Sequence, residues 1–268
     1  MTQIGERTAT FRVTSPADPT RSFDVSWAAL TDVGKRRAVN EDSVVAHPPI
    51  FAVADGMGGH AAGDVASDAV VKRLGAVGDA PFTTGDVIDD ALSQALTDID
   101  LVGDATTLGT GTTVTGVALS LVDGDPKWAV FNIGDSRVYQ FVNGALHRLT
   151  VDHSVVQELV DAGLITAEQA ETHPDSNIIT RAVGFHEKPV PDYSLLELQA
   201  GQRILICSDG LTKELTDHGI AHYLGREGSA WDAASALVGA ALTNGGRDNV
   251  TVLVIDVATA DSDATRDN

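Results

Sequence analysis

The chain has 268 residues, of which 43% are hydrophobic, so it can bury a sizeable core in one large domain or two small ones. Its 38 acidic residues exceed its 18 basic residues, which gives a formal net charge of −20. This charge argues against nucleic acid and anionic membranes as partners, because both need clustered Lys and Arg. Most of the acid is interpreted as surface charge that aids solubility, while grouped carboxylates can bind cations.

The single cysteine, Cys207, excludes an internal disulfide framework and a thiolate metal cluster. It lies in an apolar run, which indicates a small buried side chain and not a nucleophile. No stretch approaches the ~18 consecutive apolar residues of a membrane span. The N-terminus also lacks the apolar segment of a signal peptide. We therefore expect a soluble, cytoplasmic protein.

The first half of the chain predicts strands and two amphipathic helices. Residues 1–22 are rich in Thr, Arg and Pro and are expected to form a flexible lead-in. In chain order, the apolar patterns then predict a strand over 23–30, a charged loop over 31–43, a buried strand over 51–54, and helices over 61–74 and 85–101.

The second half predicts a series of hairpins, because turn pairs such as Asp123-Gly124 and Asn143-Gly144 separate its apolar runs. Strands are expected over 110–122, 127–133, 138–142, 145–149, 193–198, 203–208 and 250–257, and helices over 154–162 and 229–242. The strands at 193–198 and 203–208 are expected to pair across Ala200-Gly201. Adjacent hairpins indicate a mostly antiparallel sheet.

The domain organisation follows from what is missing between these elements. No repeat or linker divides the sequence, so residues 23–257 are predicted to form one domain. Residues 167–181 are polar and irregular, which suggests an excursion from the sheet. Residues 258–268 are expected to form a polar, frayed tail.

Four aspartates lie at the ends of predicted strands with glycine close by. They are Asp55 before Gly56, Asp135 after Gly134, Asp209 before Gly210, and Asp248 after Gly245 and Gly246. One such aspartate is commonly a turn residue, but four with matching neighbours favour a shared cation site at one rim of a sheet. Oxygen ligands without cysteine point to Mg²⁺ or Mn²⁺ and not to zinc.

The charged loop adds groups suited to phosphate chemistry. It contains Glu41 and Asp42, and Arg37 lies just upstream. An arginine fork matches phosphate oxygens bidentately, and two ions bridged by a carboxylate can activate a water. This combination suggests hydrolysis of a phosphomonoester. Lys35 and Arg36 are adjacent to Arg37, so chemistry alone does not fix which cation takes the phosphate.

An ordered set of motifs covers most of the chain. The motifs are TDVG (31–34), RAVNEDS (37–43), VADGMGGH (53–60), GTGTT (109–113), NIGDSR (132–137), LTVDHS (149–154), HPDSNIITRAVG (173–184), CSDGL (207–211) and GGRDNVT (245–251). Their order resembles that of the metal-dependent protein phosphatases of type 2C in their bacterial form. The resemblance spans residues 23–257 and implies an α+β fold, an α/β/β/α four-layer sandwich of two antiparallel sheets flanked by helices.

The resemblance also implies a metal site with two ions, Mn²⁺ or Mg²⁺, and a third in bacterial-type members. Asp55 would bridge two ions and the carbonyl of Gly56 would bind the second. Asp209 and Asp248 would complete the first ion's ligands. Asp135, together with Asp209, would hold the third ion.

The remaining roles concern water, substrate and mechanism. By the same resemblance, Glu41 and Asp42 would hold metal-bound waters, Arg37 would bind the substrate phosphate, and residues 167–184 would form a flap beside the site. A metal-bridging water would attack phosphorus without a phospho-enzyme. The implied substrates are proteins phosphorylated on Ser or Thr, and the functional counterparts are Ser/Thr protein kinases.

Two departures from the family pattern concern other steps of the reaction. Met57 stands where some relatives have a histidine proposed as general acid, and His60 is not assigned that role. Ser176 precedes Asn177 where similar sequences have arginine. His153 is interpreted as shaping a loop or helix start.

The motif over 109–113 lacks the lysine that follows in a phosphate-binding loop, so it is interpreted as a strand end. Two other functions are compatible with the sequence. One is an inactive relative that acts as a binding module, and the other is a structural cation-binding domain.

Overall fold

The computed structural model of the chain describes residues 1–58, 62–78, 80–102, 110–226 and 228–260. The strands are β1 (Gln3–Gly5), β2 (Thr8–Thr14), β3 (Ser22–Asp32), β4 (Asp42–His47), β5 (Ile50–Met57), β6 (Gly111–Thr112), β7 (Val114–Val122), β8 (Asp125–Ile133), β9 (Arg137–Val142), β10 (Ala145–Arg148), β11 (Val183–Gly184), β12 (Asp192–Glu197), β13 (Arg203–Cys207) and β14 (Val250–Thr259). The helices are α1 (Gly63–Gly75), α2 (Gly85–Val102), α3 (Val155–Asp161), α4 (Ala167–Glu171), α5 (Asp209–Thr212), α6 (Asp217–Leu224) and α7 (Ala230–Asn244).

The strands form two sheets. The first has the order β1-β4-β5-β7-β8-β12, and the short strands β6 and β11 continue from β5. The second has the order β10-β9-β13-β14-β3-β2. In the described part of the chain the strands pair antiparallel, except that β1 joins β4 in parallel. The prediction of two antiparallel sheets is therefore confirmed, apart from this edge pair.

Strand β5 shows how the two sheets are held together. Phe51 and Val53 belong to the core between the sheets, whereas Ile50, Ala52 and Ala54 belong to the core under the helices. Successive side chains of a strand point to opposite faces, so a strand buried on both faces reads as a continuous apolar run. That is why the sequence from 50 to 54 contains no polar residue.

Aromatic rings fill the centre of the sandwich. The ring of Phe51 lies 5.1 Å from that of Trp27 and 6.1 Å from that of Trp128, both in edge-to-face arrangements. Such pairs add about 0.5–1.5 kcal/mol each beyond the area they bury. These three residues come from β3, β5 and β8, so they connect the two sheets at their middle.

Helices cover both outer faces of the sandwich. Helices α1 and α2 pack on the first sheet, where Val70 and Leu92 are fully buried. Helix α7 packs on the second sheet through a stripe that includes Ala234 and Leu237. This gives the helix–sheet–sheet–helix order, and the predicted fold class is confirmed. Among the described residues, no helix combines the length and apolar character needed to cross a membrane.

The N-terminal residues do not form the flexible lead-in that the sequence predicted. β1 pairs with β4 in the first sheet, and β2 pairs with β3 over seven residue positions in the second. Within β2, Ala9, Phe11 and Val13 lie on the face that packs on the core between the sheets. The prediction is wrong because the segment is polar overall, and its attachment depends on partner strands that are distant in sequence.

The expected hairpin between residues 193–198 and 203–208 is also wrong. β12 pairs with β8 at the edge of the first sheet, whereas β13 lies between β9 and β14 in the second. Gly201 has φ +81°, and the short connection carries the chain from one sheet to the other. Two apolar strands joined by a Gly turn have the same sequence pattern whether they pair in one sheet or belong to two different sheets.

Other differences are small. β4 begins at the end of the predicted charged loop, and α4 lies within the predicted irregular excursion. β14 extends to Thr259, so the tail was predicted to start at least two residues too early, and residues 261–268 lie outside the described residues. The strand expected over 110–122 is divided into β6 and β7.

The attachment of the N-terminus can be tested with a pair of β2 variants. Val13→Ala should lower the free energy of unfolding by about 1–3 kcal/mol, because it removes buried methyl groups between the sheets. Thr10→Ala, on the exposed face of the same strand, should change it by less than about 0.5 kcal/mol. Urea unfolding measures both. Equal stabilities of the two variants would mean that β2 does not pack on the core.

Candidate active site

The site begins with two aspartates on adjacent strands. Asp42 starts β4 and Asp55 lies near the end of β5, where the register places them directly opposite each other. Residues opposite each other in an antiparallel pair present their side chains on the same face. Thr113 fixes the backbone of Asp55, since its Oγ1 accepts from the Asp55 amide at 3.0 Å and its own amide donates to the Asp55 carbonyl at 2.9 Å.

Asp42 is fully buried and links the two sheets. Its Oδ2 accepts hydrogen bonds from Ser208 Oγ at 2.8 Å and Thr251 Oγ1 at 2.6 Å. Ser208 directly follows β13 and Thr251 lies in β14, so both hydroxyls come from the second sheet. Its Oδ1 has no hydrogen-bond partner. Burial raises the pKa of Asp42 to about 6, because the loss of water outweighs the two hydroxyl hydrogen bonds.

The second sheet contributes Asp209 and Asp248. Asp209 follows β13 and Asp248 precedes β14, and these neighbouring strands run antiparallel, so both residues lie at the same end of the sheet. A Cβ on Gly210 would come within 1.9 Å of the carbonyl oxygen of Asn249, so only glycine permits this close approach. Asp209 Oδ1 is buried and has no hydrogen-bond partner.

Electrostatics show that these carboxylates form one group. The pKa of Asp55 lies well above its usual value, first because of burial and then because of repulsion from Asp42, Asp209, Asp135 and Asp248. Like charges raise each other's pKa only over short distances. The four aspartates singled out from the sequence, together with Asp42, are therefore brought to one place.

Asp135 reaches the group from a turn after β8. The turn contains Gly134 at φ +106°, whose amide donates to His153 Nδ1 at 3.1 Å, while the His153 amide donates to the Gly134 carbonyl at 2.9 Å. The other ring nitrogen of His153 lies 3.0 Å from Asp192 Oδ2, so this histidine shapes the loop, as predicted. Burial, followed by repulsion from Asp209, raises the pKa of Asp135 to about 7.

The loop between β3 and β4 is held by Asn249, a residue that the sequence reasoning did not single out. Its Nδ2 donates to the carbonyls of Val33 and Val39 at 2.9 and 3.0 Å, and its Oδ1 accepts from the Glu41 amide at 2.8 Å. One buried amide group therefore connects both ends of the loop to the start of β14. Its place in the GGRDNVT motif was visible, but its partners are about 210 residues away.

Arg37 lies at the open side of the site. Its guanidinium contacts Asp248 bidentately, with Nε 2.8 Å from Oδ1 and Nη2 2.9 Å from Oδ2. The side chain is half-exposed, so one part of its donor fork is in contact with solvent. Lys35 and Arg36, the other two cations of this loop, form no ion pair among the described residues.

Glu41 and Gly56 lie next to the start of α1. A Cβ on Gly56 would come within 2.1 Å of the Gly63 carbonyl oxygen, so the chains touch here. Burial and the nearby charge of Asp64 raise the pKa of Glu41. Asp64 was not singled out from the sequence, although its Oδ1 is buried without a hydrogen-bond partner. An acidic residue in the first turn of a helix is common, so no sequence signal distinguished Asp64.

Lys213 is a third residue that the sequence reasoning missed, after Asn249 and Asp64. It follows α5, and its Nζ forms ion pairs with Asp209 and, at 3.3 Å, with Asp248. Burial opposes its charge, but the attraction of these two carboxylates and of Asp55 is larger and raises the pKa of the ammonium. The signal was available, because Lys213 stands four residues after Asp209 and one helical turn brings the two together.

Comparison with known proteins identifies the family to which the chain belongs. The sequence model of the family described as Protein phosphatase 2C matches residues 35–237. The chain belongs to this family. It is 40% identical over 247 residues to the serine/threonine protein phosphatase PstP of Mycobacterium tuberculosis, a match that covers 90% of the chain but 46% of PstP. The chain thus spans about half the length of this relative.

Two further relatives match over most of their own length. Protein phosphatase PhpP of Streptococcus pneumoniae is 35% identical over 245 residues, which cover 87% of the chain and 98% of PhpP. A crystal structure of the catalytic domain of PstP in complex with two manganese ions superposes with a TM-score of 0.76 at 37% identity, and covers 88% of the chain and 99% of that domain. The 2C resemblance seen in the motifs is confirmed.

The donor set of this 2C-family site suits a hard divalent cation. Its groups are carboxylates and a backbone carbonyl, and Asp42 and Asp209 each have a buried oxygen without a partner. As the described side chains stand, no three of them from His, Cys, Asp and Glu converge tightly enough to hold an ion. In this arrangement Lys213 forms ion pairs with Asp209 and Asp248, and Arg37 forms one with Asp248.

Other residues named from the sequence take supporting positions or lie elsewhere. Thr112 Oγ1 donates to the Asp55 carbonyl at 2.9 Å, in keeping with a structural role for the GTGTT motif. Met57 ends β5, and His60 and Gly109 lie outside the described residues. Cys207 is buried and its pKa is raised by desolvation to about 12, which fits a small core side chain and not a nucleophile.

The buried charge of Asp135 predicts a pH-dependent stability in the chelator-treated protein. Its pKa is about 7 in the folded chain and near 3.8 when unfolded, so the folded state binds the extra proton between these values. The stability that this proton confers is present below about pH 4 and is lost as pH rises through 7. Asp135→Asn carries no charge, so its unfolding free energy relative to the native sequence should rise by about 1–3 kcal/mol from pH 4.5 to 8.

Urea unfolding with a chelator, at several pH values, measures this difference. Asp125→Asn, on the surface in an ion pair with Arg21, is the matched control and should show no such rise. A constant difference between Asp135→Asn and the native sequence across this range would contradict the burial of Asp135 among the other carboxylates.

Proposed function

We propose that the chain is a Mn²⁺- or Mg²⁺-dependent protein phosphatase that hydrolyses phosphoserine and phosphothreonine. One observation carries the proposal: five aspartates from both sheets meet at one rim beside a half-exposed arginine. Such a concentration of buried negative charge costs free energy unless cations bind it. The named relatives support the same reading, since PstP is called a serine/threonine phosphatase and binds two manganese ions in its structure.

The ions would be held by the residues that the resemblance implied. Asp55 and the Gly56 carbonyl would hold the ions from the end of β5, and Asp209 and Asp248 would hold them from the second sheet. Asp135 would hold a third ion together with Asp209. Bound ions of this kind supply a water of lowered pKa and a positive field that neutralises a phosphoryl group.

The chain's own contribution would be to position water and manage protons. Asp42 is fixed by Ser208 and Thr251 through one oxygen, which leaves Oδ1 available to orient a water by accepting its hydrogen bond. Its pKa of about 6 lies close to neutral pH, where a group both accepts and releases a proton readily. Glu41, whose pKa is also raised, would hold a second water at the start of α1.

Arg37 would bind the substrate phosphate. Its guanidinium already makes a bidentate contact with a carboxylate, which has the same planar oxygen geometry that two phosphate oxygens present. Its exposure allows a phosphorylated side chain to reach it from solvent. Residues 167–184, which contain α4 and β11, would form a flap beside the entrance.

The proposed partners follow from the reaction. A protein phosphomonoester has to be made by a phosphotransferase, so Ser/Thr protein kinases are the functional counterparts of this activity. We place the reaction in the cytoplasm, where a free buried Cys207 is stable in a reducing environment. The proposed role of this activity is in signalling by reversible protein phosphorylation.

Metal dependence is the first test of the proposed activity. The chelator-treated protein should release no phosphate from a phosphothreonine peptide, and turnover should appear as Mn²⁺ is added and disappear again with chelator. Phosphate release measures it. Metal binding without turnover on phosphoserine and phosphothreonine peptides would instead favour the binding module, and turnover that persists in chelator would rule out the metal mechanism.

The roles of Asp209 and Arg37 predict different kinetic effects. Asp209→Asn should lower kcat by about 10²-fold or more, because it removes a ligand of the ion that supplies the nucleophile. Arg37→Ala should raise KM by about tenfold and lower kcat less, since it removes phosphate binding. Arg21→Ala, which breaks a half-exposed Arg–Asp pair far from the site, is the control and should leave both constants unchanged. Near-normal turnover of Asp209→Asn would contradict the metal assignment.

A further inference from the structure

Lys213 has an unusual position for a lysine of a carboxylate-rich site. Helix α5 is a single turn, and the Lys213 amide donates to the Asp209 carbonyl at 2.8 Å, so its side chain returns over the residue where the helix starts. Nζ forms ion pairs with both Asp209 and Asp248. These carboxylates come from the ends of two neighbouring strands, and the ammonium bridges them.

A second pair with the same spacing shows that this is not an ordinary surface contact. Lys72 pairs with Asp68 on α1, also four residues apart, at 2.7 Å. There the side chains of Lys72 and Asp68 are 61% and 27% exposed, whereas those of Lys213 and Asp209 are 32% and 14% exposed. The Lys213 pair is therefore more shielded from water, and its charge acts more strongly on its surroundings.

The charge of Lys213 also extends beyond its two direct partners. It attracts Asp55, and it lowers the pKa of Asp135 against the larger effects of burial and repulsion. The ammonium is thus close to four of the five aspartates in the site. Arg37 engages Asp248 from the exposed side, so these two cations offset only part of the negative charge.

We propose that the ammonium of Lys213 competes with the divalent ions for Asp209 and Asp248. When metal binds, the ammonium moves away from these two carboxylates, and this competition lowers the metal affinity of the site. The inference rests on the proposed metal-dependent function. An ammonium and a divalent ion on the same two carboxylates draw on the same negative charge, and their positive charges repel each other at this distance. The flexible four-carbon stem of lysine lets the ammonium move into solvent.

Two consequences follow for the protein. In the metal-free state Lys213 stabilises the fold by reducing repulsion among the carboxylates. In the metal-bound state the same charge opposes the ions, so it weakens binding. Lys213 therefore stabilises the metal-free protein and weakens metal binding. Removing its charge should lower the stability of the metal-free protein and raise the affinity for metal.

Calorimetric titration of the metal-free protein with Mn²⁺ tests the proposal without an activity assay. Lys213→Met keeps an unbranched side chain of nearly the same length and removes its charge, so it should tighten Mn²⁺ binding by about tenfold or more. Lys213→Arg keeps the charge and should bind Mn²⁺ with nearly native affinity. Lys72→Met, which breaks the pair of equal spacing on α1, is the matched control and should also bind like the native protein.

Thermal unfolding gives an independent readout on the same variants. Lys213→Met should have a lower Tm than the native protein in chelator, and Mn²⁺ should raise its Tm by more than it raises the native Tm. Circular dichroism verifies that the variant is folded. If it is not, Lys213→Gln, which is also uncharged and more polar, is measured in its place with the same expected direction.

The other outcomes distinguish the inference from the function on which it rests. If the native protein binds Mn²⁺ and the uncharged variant binds it equally or more weakly, Lys213 is not a competitor, and the metal site stands. If neither protein binds Mn²⁺ at millimolar concentration, the metal site and the proposed function are both wrong, and the competitor is overturned with them.

Discussion

The structure depends on the burial of several like charges where the ends of two sheets meet. Each carboxylate placed there loses water and repels its neighbours, which is why the pKa values of Asp42, Asp55 and Asp135 all lie above their usual range. Such a cluster persists only if the rest of the fold over-determines it and if positive charge is close by. Lys213 and Arg37 supply part of that charge from the chain itself, and divalent ions would supply the remainder.

The sandwich provides the rigidity that this arrangement requires. The middle strands are buried on both faces, so their ends are fixed by the core between the sheets on one side and by the helices on the other. Hydrogen bonds then join the sheets at the site, since Asp42 on the first sheet accepts from Ser208 and Thr251 of the second. Asn249 holds the loop that bears Arg37 in the same way. Apolar packing places the strand ends, and these polar contacts fix the carboxylates on them.

Local sequence signals were sufficient where one element could be interpreted by itself. The Asp123-Gly124 and Asn143-Gly144 turns connect hairpins as predicted, and both Asp123 and Asn143 have the positive φ that such turns need. The signals failed where pairing is decided at long range. The polar strands at the N-terminus and the strand β12 take their places from partners in distant parts of the chain, and no local pattern records which of two sheets a strand joins.

The sequence by itself determined the chemistry of the site, because an aspartate beside a glycine at the end of an apolar run is visible residue by residue, and the order of the motifs identified the family. The tertiary structure alone decided which groups act on one another. Asn249, Asp64 and the bridging position of Lys213 depend on contacts between the two sheets and the first helix, and the pKa of Asp55 depends on carboxylates from four other segments. Desolvation and charge repulsion depend on which groups surround a carboxylate in the folded chain, so their effects on its pKa cannot be taken from the sequence.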